Sequence, residues 1–376
     1  MKIAINTRLL LKGRLEGIGW FTYENLRRIT NNHPEHQFYF LFDRSYSPEF
    51  IFSDNVTPLV LNPQARHPVL YYIWFEFSVK SALKKIDADL FVSTDGYVSL
   101  SSKVKTFNVF HDLNFEHYPF DIPFLERRYY RKFFKKFAQK ADRIATVSEF
   151  SKQDIVKLYN ISPDIIDVVY NGANEIYGPL PQEIIEETKL KFTDGHSYFY
   201  FIGALHPRKN LVNLFKAFDL FRENSNYVVK LVITGAKKWW TEEMESVYSN
   251  MSYMADVIFT GRLETDEIKN LMGSALALTY VSYFEGFGIP IVEAFRSSVP
   301  VITSNVTSMP EVAGEAALLI DPFNPNDIAS AMQKISEDYN LREKLIEAGT
   351  TRAQEFTWDK SAERLWNSIE KVLNTL

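Results

Sequence analysis

The sequence predicts an α/β protein built as two doubly wound domains, each a mostly parallel sheet with helices on both faces. Three observations carry this. Short apolar runs alternate with helix-period segments along nearly the whole chain. The alternation halts at a Pro/Gly cluster, Tyr177-Gly178-Pro179-Leu180-Pro181, and then restarts. The chain's 376 residues exceed what one ordinary core accommodates.

Taken in order, residues 3–6 read as a strand, followed by a loop carrying Gly13, Gly17 and Gly19 and an apolar-periodic helix through Phe21, Leu26 and Ile29. Strands are expected at 37–42 and 56–61, and a helix over 69–85 leads to a strand at 90–93. Further strands fit 106–110, 143–147 and 166–170, with helices near 123–139 and 149–158 between them. After the break, strands are expected at 198–202, 228–234, 257–260, 275–281, 299–303 and 316–320. The first three run into Gly203, Gly235 and Gly261. The last stretch reads as helix, including 358–373. This places a first domain at 1–178 and a second at 179–356.

Composition narrows the function. Hydrophobic residues make up 46% and charged residues 24%, a globular balance. The net charge of −5 lacks the basic footprint that general nucleic-acid binding requires. With no cysteine, disulfide frameworks and thiolate chemistry are excluded. The chain opens directly on a strand, so no signal peptide is read and a cytoplasmic location is expected. The most apolar stretch, 69–79, is broken by Glu76 and is far shorter than the ~20 residues of a spanning helix.

In doubly wound sheets, ligands bind beyond the carboxyl ends of the strands. Four features stand there: the Gly17/Gly19 loop, His111-Asp112, the 203–209 loop, and the stretch from Glu285 to Glu293. A cleft between the domains would bring them together.

The last of these is the most informative. Gly288 suits an N-cap and Pro290 a first helical turn, so free N–H groups and the positive dipole end would face a phosphate. Glu285 and Glu293 flank that turn and offer acceptors to hydroxyls. Glu293 alone is equally consistent with a favourable first-turn charge. Arg208 and Lys209 follow a strand and Gly203, where two adjacent cations would neutralise a diphosphate leaving group; alone, such a pair reads as solvated. His111 ends a strand and suits a sugar hydroxyl or a proton transfer, although a lone His is more often structural. Gly17-Ile18-Gly19 lacks the third glycine of the dinucleotide fingerprint and equally suits a tight turn. Asp87-Ala88-Asp89 precedes a strand, at the wrong end of the sheet for a metal site. No other cluster has metal-ligand spacing. Residues 127–140 interleave seven cations with five aromatic rings. That helix either packs its apolar face with a solvated charged face, or contacts an anionic membrane or acceptor.

These residues together resemble glycosyltransferase family 4. The resemblance rests on Glu285 and Glu293 with Tyr283-Phe284-Glu285-Gly286-Phe287-Gly288, on Ser308-Met309-Pro310-Glu311-Val312-Ala313-Gly314, and on Thr146-Val147-Ser148-Glu149-Phe150-Ser151. Tyr170-Asn171-Gly172 and Pro207-Arg208-Lys209-Asn210 fit as well. It implies the GT-B fold, with two Rossmann-like domains and a final helix, about 357–376, that packs back on the first.

It further implies a retaining hexosyltransferase using a nucleotide diphosphate sugar, with GDP-mannose the expected donor and a glycan or lipid-linked saccharide the acceptor in polysaccharide assembly. By that resemblance, Glu285 meets the transferred sugar, Glu293 the ribose, and Arg208 and Lys209 the diphosphate. The backbone of Phe287, Gly288 and Ile289 lies near the sugar and phosphates. Gly203 completes the donor loop, and Arg262 and Leu263 neighbour the base. His111 sits beside the sugar, with Gly17, Gly19 and Asp112 lining the cleft. No cofactor and no essential metal are expected. The chain departs from many members at Ala204, which stands where they carry arginine. A non-catalytic subunit of this fold, or a sugar-nucleotide epimerase, remains an alternative.

Overall fold

The computed structural model describes residues 1–225 and 227–375. These fold into two compact units: residues 1–172 together with the chain from Trp358 onward, and Ala173–Thr357.

The first unit holds seven strands: β1 (Lys2–Asn6), β2 (Gln37–Phe42), β3 (Val56–Val60), β4 (Leu90–Ser93), β5 (Lys105–Phe110), β6 (Arg143–Thr146) and β7 (Ile166–Val168). All pair in parallel, in the order β3-β2-β1-β4-β5-β6-β7. Both faces are covered, so the strands read as continuous apolar runs: Ile3, Ala4, Ile5, Phe38, Phe40 and Phe91 are all buried. The helix Gly17–Asn32 covers one face through Phe21, Leu26 and Ile29.

The last helix, Trp358–Leu373, packs against it and buries Leu365, Trp366, Ile369 and Val372. Its polar side is tied to the same unit. Ser368 and Lys371 donate to Asp167 at 2.5 and 2.9 Å, Arg28 donates to Asp359 at 2.5 Å, and the Trp366 ring stacks on His33 at 3.8 Å.

The second unit holds β8 (Tyr198–Ile202), β9 (Lys230–Thr234), β10 (Val257–Gly261), β11 (Ala277–Tyr280), β12 (Val301–Ser304) and β13 (Leu318–Ile320). They too are parallel, in the order β10-β9-β8-β11-β12-β13. Helix Leu211–Asn224 presents Leu211, Leu214, Phe215, Phe218 and Phe221 to this sheet at helical spacing. Helix Pro325–Glu337 packs beside it through Ile328, Ala331, Met332 and Ile335.

Each sheet reverses its strand order next to its first strand, between β1 and β4 and between β8 and β11. Those two switch points are where a doubly wound sheet opens a crevice at its carboxyl edge.

Two local readings change, and the packed reading of the basic helix is the one the structure shows. The division between units falls at Gly172 rather than after Gly178. The reason is packing: the Ala173 N–H donates to the Phe356 carbonyl, and Tyr177 is buried against Glu293. What reads as a linker is therefore structure of the second unit.

The helix expected over 69–85 is interrupted by a π-helical stretch, Trp74–Val79. The wider turn accompanies the burial of both Trp74 and Phe75. On the same stretch, the Glu76 carboxylate accepts the N–H groups of Leu100 and Ser101.

The basic helix, Phe124–Lys140, buries Tyr129, Phe134, Phe137 and Ala138, so its apolar face is core. Among the described residues no helix is long and apolar enough to cross a membrane.

Candidate active site

The second switch point is built from two loops. One leaves β8 at Gly203 and turns through Pro207–Lys209. The other leaves β11 and runs from Val281 to the helix Ile289–Arg296. They are stitched together by backbone and side chain. The Tyr283 N–H donates to the Arg208 carbonyl at 3.0 Å, and the Asn210 amide donates to the carbonyls of Val281 and Pro322 at 3.0 and 2.6 Å. Glycine is needed nearby. A Cβ on Gly235 would lie 2.0 Å from the Gly203 carbonyl oxygen, so β8 and β9 run into loops that touch backbone to backbone.

Glu285 is the centre of this crevice. It is 5% exposed, and both carboxylate oxygens are held. Arg208 Nη1 donates to Oε2 at 2.5 Å, and Lys209 Nζ donates to Oε1 at 2.6 Å. Lys209 also donates to the Tyr280 hydroxyl at 2.5 Å, and its ammonium lies 4.6 Å from that ring's centroid. Burial alone would raise the Glu285 carboxyl; the charges of Arg208 and Lys209 outweigh it and hold the pKa down at about 2. The Tyr280 hydroxyl, which accepts from Lys209, bonds Glu285 in turn, so the carboxylate orients the cations within a closed network.

The loop after Glu285 is pinned from below. The Ser308 hydroxyl donates to the carbonyls of Glu285 and Phe287 at 2.9 and 3.1 Å. Phe287 is buried edge-on against Phe356, so only its backbone is left to meet a ligand. Gly288 caps the helix at φ 102°, a left-handed conformation that favours glycine. Pro290 follows in the first turn. Pro290 has no N–H and the Ile291 N–H bonds the Gly288 carbonyl, so what the first turn presents beside the Glu285 loop is chiefly the positive end of the helix.

Glu293 lies one turn into this helix and differs from Glu285 in every respect. Among the described residues no cation pairs with it. Burial pushes its carboxyl up to about 7, against a smaller opposing effect from the Tyr177 hydroxyl bonded to it. Near neutrality it exchanges between acid and carboxylate, and either form can pair with a hydroxyl.

Arg262 and Leu263 follow β10 at the same edge of the sheet, Arg262 exposed and Leu263 half-buried. Gly203, Arg208, Lys209, Glu285, Phe287, Gly288, Ile289 and Glu293 therefore gather on one edge of one sheet.

The remaining expected residues lie in the first unit, around its own switch point. His111 follows β5, and its Nε2 lies 2.8 Å from the Thr94 carbonyl. A carbonyl only accepts, so Nε2 carries the proton and the neutral ring keeps Nδ1 as an acceptor. Burial lowers the His111 pKa against the opposing pull of that carbonyl, which favours the neutral ring.

Asp112 accepts the Asn114 N–H at 3.0 Å and so shapes the turn. Gly19 is tight against Leu15 and the Leu9 carbonyl, whereas a Cβ on Gly17 would meet nothing within 4 Å. His206 accepts from the Arg208 N–H and serves as a turn cap. Asp87 ends a helix with φ 58°, and Asp89 accepts the Lys2 N–H, as expected of turn residues. Among the described residues no group of three or more His, Cys, Asp or Glu could hold a metal ion.

Comparison with known proteins agrees with this layout unit by unit. Residues 16–175 match Glycosyltransferase Family 4, and residues 183–352 match Glycosyl transferases group 1. The chain belongs to the family 4 glycosyltransferases. Its fold is GT-B.

Among the relatives of this glycosyltransferase is the O-antigen chain mannosyltransferase B of Escherichia coli. It is 29% identical over 262 residues, 69% of either chain. The O-antigen chain mannosyltransferase RfbU of Salmonella typhimurium is 27% identical over 270 residues, 72% of this chain and 71% of that one. Among solved structures, HepE of Anabaena in complex with UDP-glucose superposes with a TM-score of 0.77 at 15% identity. The match covers 99% of this chain and 100% of that one.

The structure adds site residues to this glycosyltransferase that reading the sequence does not single out. Tyr177 bonds Glu293, Tyr280 receives Lys209, and Ser308 holds the Glu285 loop. Ser308 stands inside a motif of the family, which was its only signal. Tyr177 and Tyr280 look like linker and core.

Proposed function

We propose that this glycosyltransferase moves a mannosyl unit from GDP-mannose to a glycan or lipid-linked acceptor, with retention of anomeric configuration and without an essential metal. The observation that carries the reading is the Arg208–Glu285–Lys209 cluster at the second switch point, beside the N-terminus of Ile289–Arg296. A diphosphate placed there meets two cations and the positive end of a helix, the stabilisation that a departing nucleoside diphosphate needs. This is the work a divalent metal does elsewhere, which supports metal independence. The choice of mannose and GDP rests on the likeness to O-antigen mannosyltransferases.

The residues then divide the labour. Arg208 and Lys209 take the growing negative charge. Glu285 fixes both cations and accepts from a hydroxyl of the transferred sugar. Glu293 pairs with the ribose. Displacement on one face of the sugar, through an oxocarbenium-like state, lets the leaving phosphate take the acceptor's proton, so no separate base is required. His111, neutral with Nδ1 open as an acceptor, suits a sugar hydroxyl better than an acid role. Peripheral contact of the 127–140 helix with an anionic membrane draws support from its exposed cations Arg128, Arg131, Lys132, Lys135 and Lys136, next to exposed Phe124 and Leu125.

The test is a panel of nucleotide sugars with a broad acceptor set and a chelator present. GDP-mannose should be consumed fastest, and NMR of the product should give the α configuration of the donor. An absolute metal requirement, or an inverted product, would sink the mechanism. Faster use of a UDP sugar would replace the donor.

A further inference from the structure

We propose that Arg8 is the anchor for an anionic group of the acceptor, a phosphate or a carboxylate, at the switch point of the first sheet. The proposal rests on the glycosyltransferase reading and names the acceptor chemistry that goes with it.

Arg8 follows β1, and its partner Asp95 follows β4, the adjacent strand across the reversal of strand order. That is the position where a doubly wound sheet takes its ligand. Arg8 is only 8% exposed. Its Nε donates to Asp95 Oδ2 at 2.6 Å. Among the described residues, Nη1 and Nη2 have no hydrogen-bond partner. The guanidinium lies 4.6 and 5.2 Å from the ring centroids of Tyr97 and Tyr71, which fix its plane.

Asp95 is already well served. It also accepts from the Asn6 amide at 2.7 Å and the Ser93 hydroxyl at 3.1 Å. So the carboxylate is satisfied, while the two Nη groups of the guanidinium reach solvent through the small exposed part of the side chain and stay open to a ligand. A planar fork of N–H groups fits the two oxygens of a phosphate or carboxylate.

The surroundings point the same way. Arg8 stays charged: burial works against it, but Asp95 and the neighbouring tyrosines hold its pKa above the usual arginine value. The Tyr97 and Tyr130 hydroxyls bond each other beside it, and supply further polar groups at the rim. Arg44, paired with Asp43, adds a second cation close enough to be felt. Thr94, next to Asp95, accepts His111 on its carbonyl, and its hydroxyl accepts from Thr22 of the Gly17–Asn32 helix. The anion anchor and the histidine expected beside the transferred sugar are thus built on one short segment, Thr94-Asp95.

The test uses the full chain, with the donor found in the nucleotide-sugar panel. Donor binding and slow donor hydrolysis are measured first, without acceptor. Transfer is then measured to three acceptors of the same sugar: a lipid-linked glycosyl diphosphate, a glycoside bearing a uronic acid, and a neutral glycoside.

Arg8→Lys keeps the charge but loses the fork. It should raise KM for the preferred anionic acceptor at least tenfold, with the donor KM and the neutral acceptor's KM unchanged. Whichever anionic acceptor responds identifies the group as phosphate or carboxylate. Thermal melts control for folding. If Arg8→Lys does not fold, Arg8→Gln/Asp95→Asn removes the ion pair as a unit, and inhibition of the wild-type chain by inorganic phosphate decides. Phosphate should compete with the anionic acceptor; competition with the donor alone overturns the proposal. Equal KM changes for neutral and anionic acceptors, or none for either, also overturn it. A chain that neither binds nor hydrolyses any nucleotide sugar overturns the glycosyltransferase reading itself.

Discussion

At the second switch point the strands run into glycine: Gly203, Gly235 and Gly261 follow or end β8, β9 and β10. At the first, β1 and β4 end instead in Asn6 and Ser93, whose side chains bond each other at 3.1 Å and hand on to Asp95 and Arg8. The strand order of the six-stranded second sheet repeats in the first, which adds a seventh strand, β7, at its edge. What differs is which part of the chain faces the crevice. Glycine clears side chains away and lets the loops meet backbone to backbone, with the Gly203 and Gly235 N–H groups bonded to the Thr234 and Gly261 carbonyls; the Asn–Ser–Asp–Arg network joins its strand ends through side chains. A fold used twice is thus finished in two ways by the residues at its strand ends.

The largest break in this comparison is expected at Glu285. Glu285→Gln keeps the shape but removes the charge that orders Arg208 and Lys209. Turnover should fall about a hundredfold, in the range seen when one preorganised electrostatic group is removed. A nucleotide should still raise the melting temperature. Unchanged turnover would detach Glu285 from catalysis.

Glu285 also predicts a stability profile. Its folded pKa of about 2 lies below the usual carboxylate value. Its contribution is therefore full above about pH 4.5 and is lost as pH falls toward 2. Urea melts between pH 6 and pH 3 should lose part of that contribution in the wild type and not in the variant.

Gly235→Ala comes next. With a backbone oxygen 2.0 Å from the added carbon, β8 and β9 must part, at a cost of about 1–3 kcal/mol. Denaturant unfolding measures it, and a neutral result would mean that the glycine contact is not required.

Glu293 should behave in the opposite sense to Glu285. Its folded pKa of about 7 is raised, so the folded state holds a proton that the unfolded state releases. Its contribution is present below about pH 4.5 and is lost as pH rises through 7. Glu293→Gln should flatten that decline, an effect on the order of 1–2 kcal/mol at pH 8. It should also weaken nucleotide binding. A wild-type pH slope in the variant would overturn the assignment.

The smallest effect compares two glycines of the first unit. Gly17→Ala meets open space and should change stability by no more than ~0.5 kcal/mol. Gly19→Ala presses on the Leu9 carbonyl at 3.2 Å and should cost roughly 1 kcal/mol. Equal effects would mean that the loop moves freely.

The strands were legible because both sheets are covered on both faces, so each strand is a short apolar run between loop residues. Gly203, Arg208, Lys209, Glu285 and Gly288 were legible for a related reason: each sits in the loop that leads from a strand end to the next helix. Arg8 and Asp95 were not, since they stand 87 positions apart and only the strand order brings them together. Tyr177 was hidden by its own neighbourhood. Pro and Gly beside it read as a linker, while its burial comes from the helix that carries Glu293. The helix at 124–140 shows the limit of charge patterning, because the same alternation describes a packed helix and a membrane-facing one, and burial of Tyr129, Phe134 and Phe137 is a tertiary fact.

The final helix returns to the first unit, so the second unit is an insertion within the first. A ribosome therefore makes every strand of the first sheet long before the helix that covers it. Until Trp358–Leu373 emerges, the face carrying Ile29, His33 and Phe38 has no Trp366 to shield it. The second unit, continuous in sequence, can complete its core meanwhile. The order of synthesis makes the first unit the later of the two to complete its core.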